Sequence, residues 1–354
     1  MFKSVRQRVE NFKKFYKHEN ERPLLGFFME SEYPVARYFA SQKLPDNRPL
    51  NAEDFVCEDY LADYDRLFEV HEKAGGDFIW SASAFWGIPW LEAALGCEIY
   101  KCSKTLSLHA HIHQTFKQQQ YVPDFEPNNE WVKKSVEFTK LIAEHSKGRY
   151  PIATPRLRGI ADLLAALYGN EAFIYNFFET PELMKQICNK LTDFWIKFAK
   201  AILSEIPLFH DGVGSFYYHM WAPAGSVWHQ EDAAALLSPD IYEQFILPCD
   251  IRIAESFGGC FMHMHPTGFY PYKQMLDAPM TCLELHIDQG GPDAEKLYSV
   301  HTEILKKKPL IIWGQISDKD LDWIFSKLPH QGLAVNVAVD SIEEARRIWE
   351  KYSR

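Results

Sequence analysis

Residues 260–268 read Cys260-Phe261-Met262-His263-Met264-His265-Pro266-Thr267-Gly268, a run in which apolar residues alternate with two histidines before Pro and Gly interrupt it. Strict alternation with a period of two is typical of a β-strand. Both histidines then lie on one face of the strand, near its carboxyl end. Two imidazoles that converge where a strand gives way to a loop can bind a metal or transfer a proton, or they can fill a core as a hydrogen-bonded pair.

Short apolar runs of this kind recur along the chain. Between most of them lie helical patterns with recognisable N-caps, such as Ser238-Pro239-Asp240 and the capping box that begins at Ser341. Alternation of strands and helices predicts a parallel sheet. Eight strands in 354 residues predict a (β/α)8 TIM barrel, favoured over a doubly wound sheet because no GxGxxG motif follows a strand. The predicted strands are residues 24–29, 78–82, 151–157, 215–220, 259–263, 281–287, 310–316 and 333–339.

The composition predicts a single domain over residues 1–354, with 47% hydrophobic residues and a formal net charge of −10. No long basic run occurs, which argues against a nucleic-acid partner. No apolar run reaches the roughly 18 residues of a membrane span. The seven cysteines form no CxxC pair, so we expect reduced thiols and a cytoplasmic protein.

Two segments lie outside the predicted barrel strands. Apolar residues at positions 2, 5, 9 and 12 are spaced as on one face of an amphipathic helix, so residues 1–22 are predicted to form an N-terminal helix that packs on the barrel. Residues 108–113, Leu-His-Ala-His-Ile-His, place three histidines on one face of a hairpin insertion. Alternating imidazoles can bind Zn or Ni, but a solvated hairpin face is the interpretation we favour.

Active sites of TIM barrels lie at the carboxyl ends of the strands, which directs attention to the polar and aromatic residues there. Aromatic residues at strand ends are commonly core, and Arg156 and Arg158 could instead pair with Glu30 or Asp77. Besides His263 and His265, the candidates are Trp86, Arg156, Arg158, Tyr218, His219, Trp221, Glu284, His286, Gln315 and Asn336.

Several longer motifs resemble the uroporphyrinogen decarboxylase superfamily in their order and spacing. They are PWLEAALGC (89–97), GIADLL (159–164) with GNE (169–171) and PEL (181–183), and LSPDIYEQFILP (237–248). The resemblance extends from about residue 75 to the end of the chain and implies a (β/α)8 barrel. It also implies one of two activities: the cofactor-free decarboxylation of haem synthesis, or a zinc-dependent methyl transfer to a corrinoid or a thiol.

The decarboxylase activity fits the N-terminal segment poorly. The family enzyme that acts on an eight-carboxylate tetrapyrrole carries several arginines around a P-x-W-x-M-R-Q-A-G signature. The matching segment here, RPLLGFFMESE (22–32), keeps one arginine and has Glu30 and Glu32 where arginine is needed. Carboxylates repel a substrate that bidentate Arg contacts would bind. Decarboxylation of a small or tetrapyrrole carboxylic acid is therefore the alternative, with Arg156 or Arg158 holding the carboxylate.

The methyltransferase activity fits the end of strand 259–263 better. Family members of that branch are similar in carrying His-x-Cys there and a further cysteine near the last strand, which together hold zinc. This chain has His263-Met264-His265, and residues 333–339 contain no cysteine. The resemblance then implies a His/His/carboxylate site with Glu284 or His286 as the third ligand. Zinc is the expected metal, although Fe, Mn and Co accept the same ligands.

The resulting hypothesis is a metal-dependent methyltransferase that moves a methyl group from a small donor, such as an aromatic methyl ether, to a corrinoid protein or a thiol. A non-catalytic binding barrel is the alternative from another class. Family members often pair through the barrel, so the resemblance also implies a homodimer as a possible assembly. The predicted metal ligands are His263, His265, Glu284 and His286. The predicted catalytic residues are His219, Glu284 and Arg158. The predicted substrate-binding residues are Trp86, Arg156, Tyr218, Trp221, Gln315 and Asn336.

Overall fold

The computed structural model describes residues 4–111 and 121–353. Its strands are β1 Leu24–Met29, β2 Ile99–Cys102, β3 Ser107–Ala110, β4 Gly212–Ser215, β5 Met220–Pro223, β6 Ser226–Gln230, β7 Gly259–Met264, β8 Cys282–Ile287, β9 Leu310–Gly314 and β10 Leu333–Val339. Six of them form a central parallel sheet in the order β1-β10-β9-β8-β7-β6. The others form the antiparallel hairpins β2–β3 and β4–β5.

Helices connect the strands and cover the sheet. The α-helices are Val5–Tyr16, Pro34–Arg37, Leu61–Ala74, Trp90–Ala94, Glu130–Ser146, Ile160–Tyr168, Asn170–Glu179, Pro181–Leu203, Pro239–Ile241, Leu247–Glu255, Tyr272–Asp277, Tyr298–Leu305, Asp318–Lys327 and Ile342–Tyr352. Short 3-10 helices occur at Phe39–Lys43, Ala52–Asp54, Cys57–Tyr60 and Asp232–Leu236, and a π-helix at Tyr242–Ile246. None of the helices described is long and apolar enough to cross a membrane.

Five of the eight predicted strands form where the sequence places them. They are β1, β7, β8, β9 and β10, with boundaries that differ from the prediction by at most two residues. Nearly every residue in them is buried. A parallel sheet covered on both faces buries both sides of its strands, which explains the continuous apolar runs in the sequence. The architecture is that of a mixed α/β protein resembling a TIM barrel.

The predictions of strands at 78–82 and 151–157 were wrong in detail. These segments form only single parallel bridges, between Ala82 and Ile152 and between Arg158 and Gln230. Pro151 and Pro155 lack the N–H group that a strand donates, which prevents a regular ladder. The bridge from Arg158 to Gln230 joins the second segment to β6, but the described residues form no closed barrel of eight strands.

The strand predicted at 215–220 is instead the turn between β4 and β5. Tyr217 and His219 have φ angles of 68° and 52°, in the left-handed region that a strand excludes. On the side opposite β8, β7 pairs with β6. The sequence analysis did not predict β6, because polar His229 and Gln230 interrupt a short apolar run. Asp232 follows the carboxyl end of β6, which places it at the same edge of the sheet as His263 and His265.

The predicted N-terminal helix forms over Val5–Tyr16, shorter than the predicted 1–22. A capping box between Ser4 and Gln7 begins it. Phe12 and Phe15 on its apolar face are fully buried, as the helical spacing predicts. The side chain of Arg8 donates to the carbonyl oxygen of Phe78 at 2.8 Å and so attaches the helix to the barrel. That residues 1–354 form one domain stays a prediction.

An ion pair between the largely buried Arg22 and the buried Asp77 holds the chain before β1 to the loop after helix Leu61–Ala74. The two guanidinium Nη atoms of Arg22 donate to the two carboxylate oxygens of Asp77 at 2.8 and 2.9 Å. Asp77 is fully buried. Removing one partner of a buried pair leaves an uncompensated charge and costs about 3–5 kcal/mol. We predict that Arg22→Met lowers the free energy of unfolding by about 3 kcal/mol in urea denaturation.

Arg48→Met is the matched control. Arg48 makes the same two-fold contact with Asp54 and donates to the carbonyl of Pro49, as Arg22 does to Pro23, but at the surface. Exposed pairs contribute about 0–1 kcal/mol, so this variant should lose little stability. Similar losses in both variants would contradict the role given to burial.

Candidate metal centre and adjoining cavity

Strands β7 and β8 bring the four predicted metal ligands together. Their register pairs His263 with Glu284, and His286 follows two residues later on the same face of β8. His265 lies just beyond the end of β7. His263, Glu284 and His286 are buried, and His265 is half-buried. The cluster therefore lies at the carboxyl edge of the sheet, where the barrel prediction expected a site.

A carboxylate fixes each imidazole of the central pair. His263 donates from Nδ1 to Glu284, and His265 donates from Nδ1 to Asp288 at 2.8 Å. The two Nε2 atoms face each other at 2.9 Å. A carboxylate on one ring nitrogen commonly fixes the tautomer and orientation of a metal-binding imidazole. The pair thus has the orientation that presents both Nε2 atoms to one ion.

Two carboxylates outside the predicted ligand set lie near these ring nitrogens. Asp232 lies with His263 and His265, and Asp288 lies with His265 and His286, with the ligand atoms of each group within 4.8 Å of one another. Glu284 lies behind His263 and accepts from the Tyr218 hydroxyl at 3.2 Å. In this arrangement Glu284 orients His263, and Asp232 and Asp288 are the candidate carboxylate ligands.

The sequence contained a signal for one of these carboxylates. Asp288 continues the alternation of Glu284 and His286 on β8 and lies on the same face. Asp232 had no such signal, because it follows β6, which was not recognised as a strand. Gln230 holds it in place by donating from Nε2 to Asp232 at 2.6 Å.

The charges around His265 favour a proton on its imidazole, and a bound metal ion would replace this proton. Burial lowers the pKa of His265, but the bond to Asp288 and the charges of Asp232, Asp288 and Glu284 outweigh burial and raise that pKa to about 9. Without a metal, a protonated His265 donates to His263. Glu284 Oε1, His286 Nδ1 and Asp288 Oδ2 are buried without a hydrogen-bond partner among the described residues. Such orphaned atoms, together with a nitrogen and oxygen donor set, fit a divalent cation.

A cavity of about 380 Å³ adjoins the cluster through Asp232. Trp86, Arg156 and Arg158 line it, as predicted substrate-binding or catalytic residues should. Tyr217, an aromatic residue that the sequence also suggested for this pocket, lines it as well and has a left-handed backbone conformation. Gln315 lies elsewhere, in a cavity of about 520 Å³ with Glu30 and other acidic residues.

His219 is not part of the metal cluster. Its ring stacks between Phe28 and Trp80, with centroids 5.5 and 5.6 Å away. Nδ1 donates to the Ser81 carbonyl at 3.0 Å, and Nε2 accepts from Arg37 at 3.2 Å. Burial, followed by the charge of Arg37, keeps the pKa of His219 well below its usual value. The structure therefore gives the predicted catalytic His219 the contacts of a neutral packing residue.

Three residues that were predicted to bind substrate make packing contacts or hydrogen bonds within the protein instead of lining the 380 Å³ cavity. Trp221 packs on Tyr16 of the N-terminal helix and donates to the Phe209 carbonyl at 2.9 Å, away from the cavity. Tyr218 is fully buried behind Glu284. Asn336 on β10 donates to the carbonyl of Tyr218 at 3.0 Å. Tyr218 and Asn336 therefore support the site from behind rather than line the cavity.

The alternative prediction that Arg156 and Arg158 pair with Glu30 or Asp77 was wrong. Arg158 pairs with Glu92 at 2.9 Å and with Asp162 at 3.5 Å. Asp77 pairs with Arg22, and Glu30 pairs with Arg66. The hairpin histidines also need a correction: His109 is exposed, as predicted, but it faces the 380 Å³ cavity. His113 lies outside the described residues.

Comparison with known proteins shows the fold but not the family. No protein-family model matches the chain, and no curated protein matches it significantly. Among solved structures, the chain is similar to a methyltransferase from Methanosarcina mazei, with a TM-score of 0.67 and 14% identity over 98% of each chain. The chain therefore has the fold of that protein. Membership of the uroporphyrinogen decarboxylase superfamily stays a prediction.

The histidine pair gives a direct test of metal binding. We predict that wild-type protein binds about one equivalent of Zn²⁺ and that His263→Ala and His265→Ala lose most of this affinity, at least about a hundredfold per ligand. The measurement is competition titration against a chromophoric chelator. His145→Ala is the control, because His145 pairs with Asp65 in a similar contact at 3.0 Å outside the site. Equal Zn²⁺ affinity in all four proteins would contradict the metal centre.

The raised pKa of His265 predicts how Zn²⁺ binding depends on pH. Because a protonated His265 must lose its proton to bind metal, apparent affinity should rise about tenfold from pH 7 to pH 8. In Asp288→Asn the charge of Asp288 and its bond as a carboxylate are lost while those of Asp232 and Glu284 remain, so the pKa of His265 falls and the change over this interval should be smaller than in wild type. Calorimetry in buffers of different ionisation enthalpy measures the released proton. A flat wild-type profile would contradict this assignment.

Proposed function

We propose that the protein is a metal-dependent methyltransferase whose metal is held by His263 and His265 with Asp232 or Asp288. The observation that carries the proposal is the orientation of the two imidazoles, each held at Nδ1 by a carboxylate and facing the other through Nε2. The position of the pair supports it, since TIM-barrel enzymes react at the carboxyl ends of their strands. The shared fold with the Methanosarcina mazei methyltransferase supports methyl transfer as the reaction class.

Zinc is the metal we propose, and when bound it would supply a Lewis acid that assists departure of the demethylated group or lowers the pKa of a thiol acceptor. The side chains of this protein prepare the site for it. Glu284 sets the tautomer of His263, and Tyr218 supports Glu284 by donating to the same carboxylate oxygen that accepts from His263. Trp228 in turn donates to the Tyr218 hydroxyl at 2.8 Å. This chain of bonds holds His263 rigidly.

The 380 Å³ cavity is the proposed binding site for the methyl donor. Asp232 lines this cavity and also belongs to the ligand group of His263 and His265, so a bound donor would lie beside the metal. Trp86 and Tyr217 offer aromatic faces, with ring centroids 5.3 Å apart. Such faces suit a flat donor, for example an aromatic methyl ether. The proposed acceptor is a corrinoid on a partner protein, or a small thiol.

Decarboxylation of a small carboxylic acid is the second candidate, favoured by Arg156. Its guanidinium lies in the cavity without an ion-pair partner among the described residues. A carboxylate is the natural partner for such a group. A non-catalytic binding barrel would share the cavity but would not bind a metal.

Methyl transfer to free cob(I)alamin tests the proposed reaction. Zn²⁺-loaded protein is incubated with cob(I)alamin and a panel of donors: methanol, methylamine, methanethiol, methoxyphenols and methoxybenzoates. Formation of methylcobalamin is followed by absorbance. We predict transfer from at least one donor, a loss of at least about a hundredfold in His265→Ala because the metal site is incomplete, and normal transfer in His145→Ala.

The other outcomes identify the alternatives. Release of carbon dioxide from small carboxylic acids, with no methylcobalamin from any donor, would favour the decarboxylase. Neither product, in a protein that binds no Zn²⁺, would favour the binding barrel and contradict the methyltransferase.

A further inference from the structure

The 380 Å³ cavity contains two arginines in different environments. Arg158 is engaged by the carboxylates of Glu92 and Asp162. Arg156 has no carboxylate within ion-pair distance among the described residues, and its Nε–H is buried without an acceptor. Among the described residues its guanidinium carbon lies over the ring of Trp86, 6.0 Å from the centroid. The Arg156 side chain is half-buried, and a guanidinium in such a place without an ion-pair partner would be stabilised by a ligand anion.

The β2–β3 hairpin forms another wall of the same cavity. It contributes the side chains of Thr105, Ser107 and His109. The His109 ring lies 2.9 Å from the Thr105 hydroxyl and 2.8 Å from the Ser107 hydroxyl through Nε2. Burial, then the nearby charges of Arg156 and Arg158, lower the pKa of His109. The hairpin wall is therefore polar and neutral, and Arg156 supplies the free positive charge.

We propose that this cavity binds a small organic molecule with a single carboxylate, and that Arg156 is the residue that binds the carboxylate. The proposal rests on the proposed function only in naming that molecule as the methyl donor. The flat part of the molecule would contact Trp86 and Tyr217. Carboxylate binding by arginine is a charge-assisted hydrogen bond, often bidentate, and is selective for planar anions.

The charges of the other lining residues limit the substrate to one carboxylate. Glu32 and Asp232 also line the cavity and would repel a second carboxylate. A volume of about 380 Å³ lies near the lower end of the range for small-molecule sites, roughly 300–1,000 Å³. The charge and the volume of the cavity both exclude a tetrapyrrole with eight carboxylates as the ligand. This argument is independent of the missing arginines in the N-terminal segment.

Calorimetric binding of three probes to chelator-treated protein tests the proposal without metal or turnover. The probes are benzoate, its neutral isostere benzamide, and the dianion isophthalate. We expect wild type to bind benzoate at least about tenfold more tightly than benzamide, because a hydrogen bond to a charged group is worth at least this factor. Isophthalate should bind more weakly than benzoate. In Arg156→Met the preference for benzoate over benzamide should fall to about one.

Two further variants keep the result interpretable. Arg156→Lys retains the charge but not the planar fork, so it should retain part of the preference, and it carries the test if Arg156→Met does not fold. Arg149→Met removes one positive charge at the surface, where Arg149 pairs with Asp65, and should leave the preference unchanged. Equal binding of benzoate and benzamide by wild type, no binding of either, or an intact preference in Arg156→Met would each overturn the proposal.

Carboxylate binding by Arg156 and methyl transfer at the metal site can be tested independently. His265→Ala should lose Zn²⁺ but keep the preference for benzoate, since Arg156 does not depend on the metal. A protein that prefers benzoate through Arg156 but transfers no methyl group would retain the binding site and lose the methyltransferase assignment. A protein that transfers methyl groups but shows no preference for benzoate over benzamide would retain the methyltransferase assignment and lose the carboxylate-binding site.

Discussion

The carboxylate of Glu284 is fully buried on β8, and the rest of the site is organised around it. An isolated charge at this depth is too costly to persist without partners. His263 on β7 and the hydroxyl of Tyr218 both donate to it. Burial raises the pKa of Glu284, but His263 and His286 outweigh burial and lower that pKa to about 2. The carboxylate stays ionised and fixes His263 in one orientation.

The loop 216–219, which carries Tyr218 to this charge, has an unusual backbone conformation. Tyr218 donates to Glu284 from between two left-handed residues, Tyr217 and His219. Each such residue costs on the order of 1–3 kcal/mol and persists only where packing enforces it. Asn336 bonds to the loop backbone, and His219 is stacked between two aromatic rings. The same loop supports the candidate metal ligands through Tyr218 and places Tyr217 at the cavity.

The sequence predicted the parts of the fold that depend on local pattern. Strands β7 and β8 were visible because alternation and apolar runs survive burial in a parallel sheet, and this was enough to bring His263, His265, Glu284 and His286 together. Segments such as 151–157, in which prolines block a ladder, look like strands but cannot pair as strands. The role of Asp232 depends on β6, a five-residue strand with a polar end, and its contact with the histidines is long-range. No local pattern records such a contact.

The two arginines that look equivalent in the sequence have separate roles in the structure. Arg158 pairs with Asp162, Asp162 accepts from Gln230 at 3.0 Å, and Gln230 donates to Asp232 at 2.6 Å. Arg158 therefore acts through this chain on Asp232, a candidate metal ligand beside the histidine pair. Because its own charge is used in that chain, Arg158 is poorly placed to bind a ligand anion, and Arg156 is left as the cation of the cavity. In the proposed site, Arg158 would position a metal ligand, and Arg156 would bind the carboxylate of the molecule beside it.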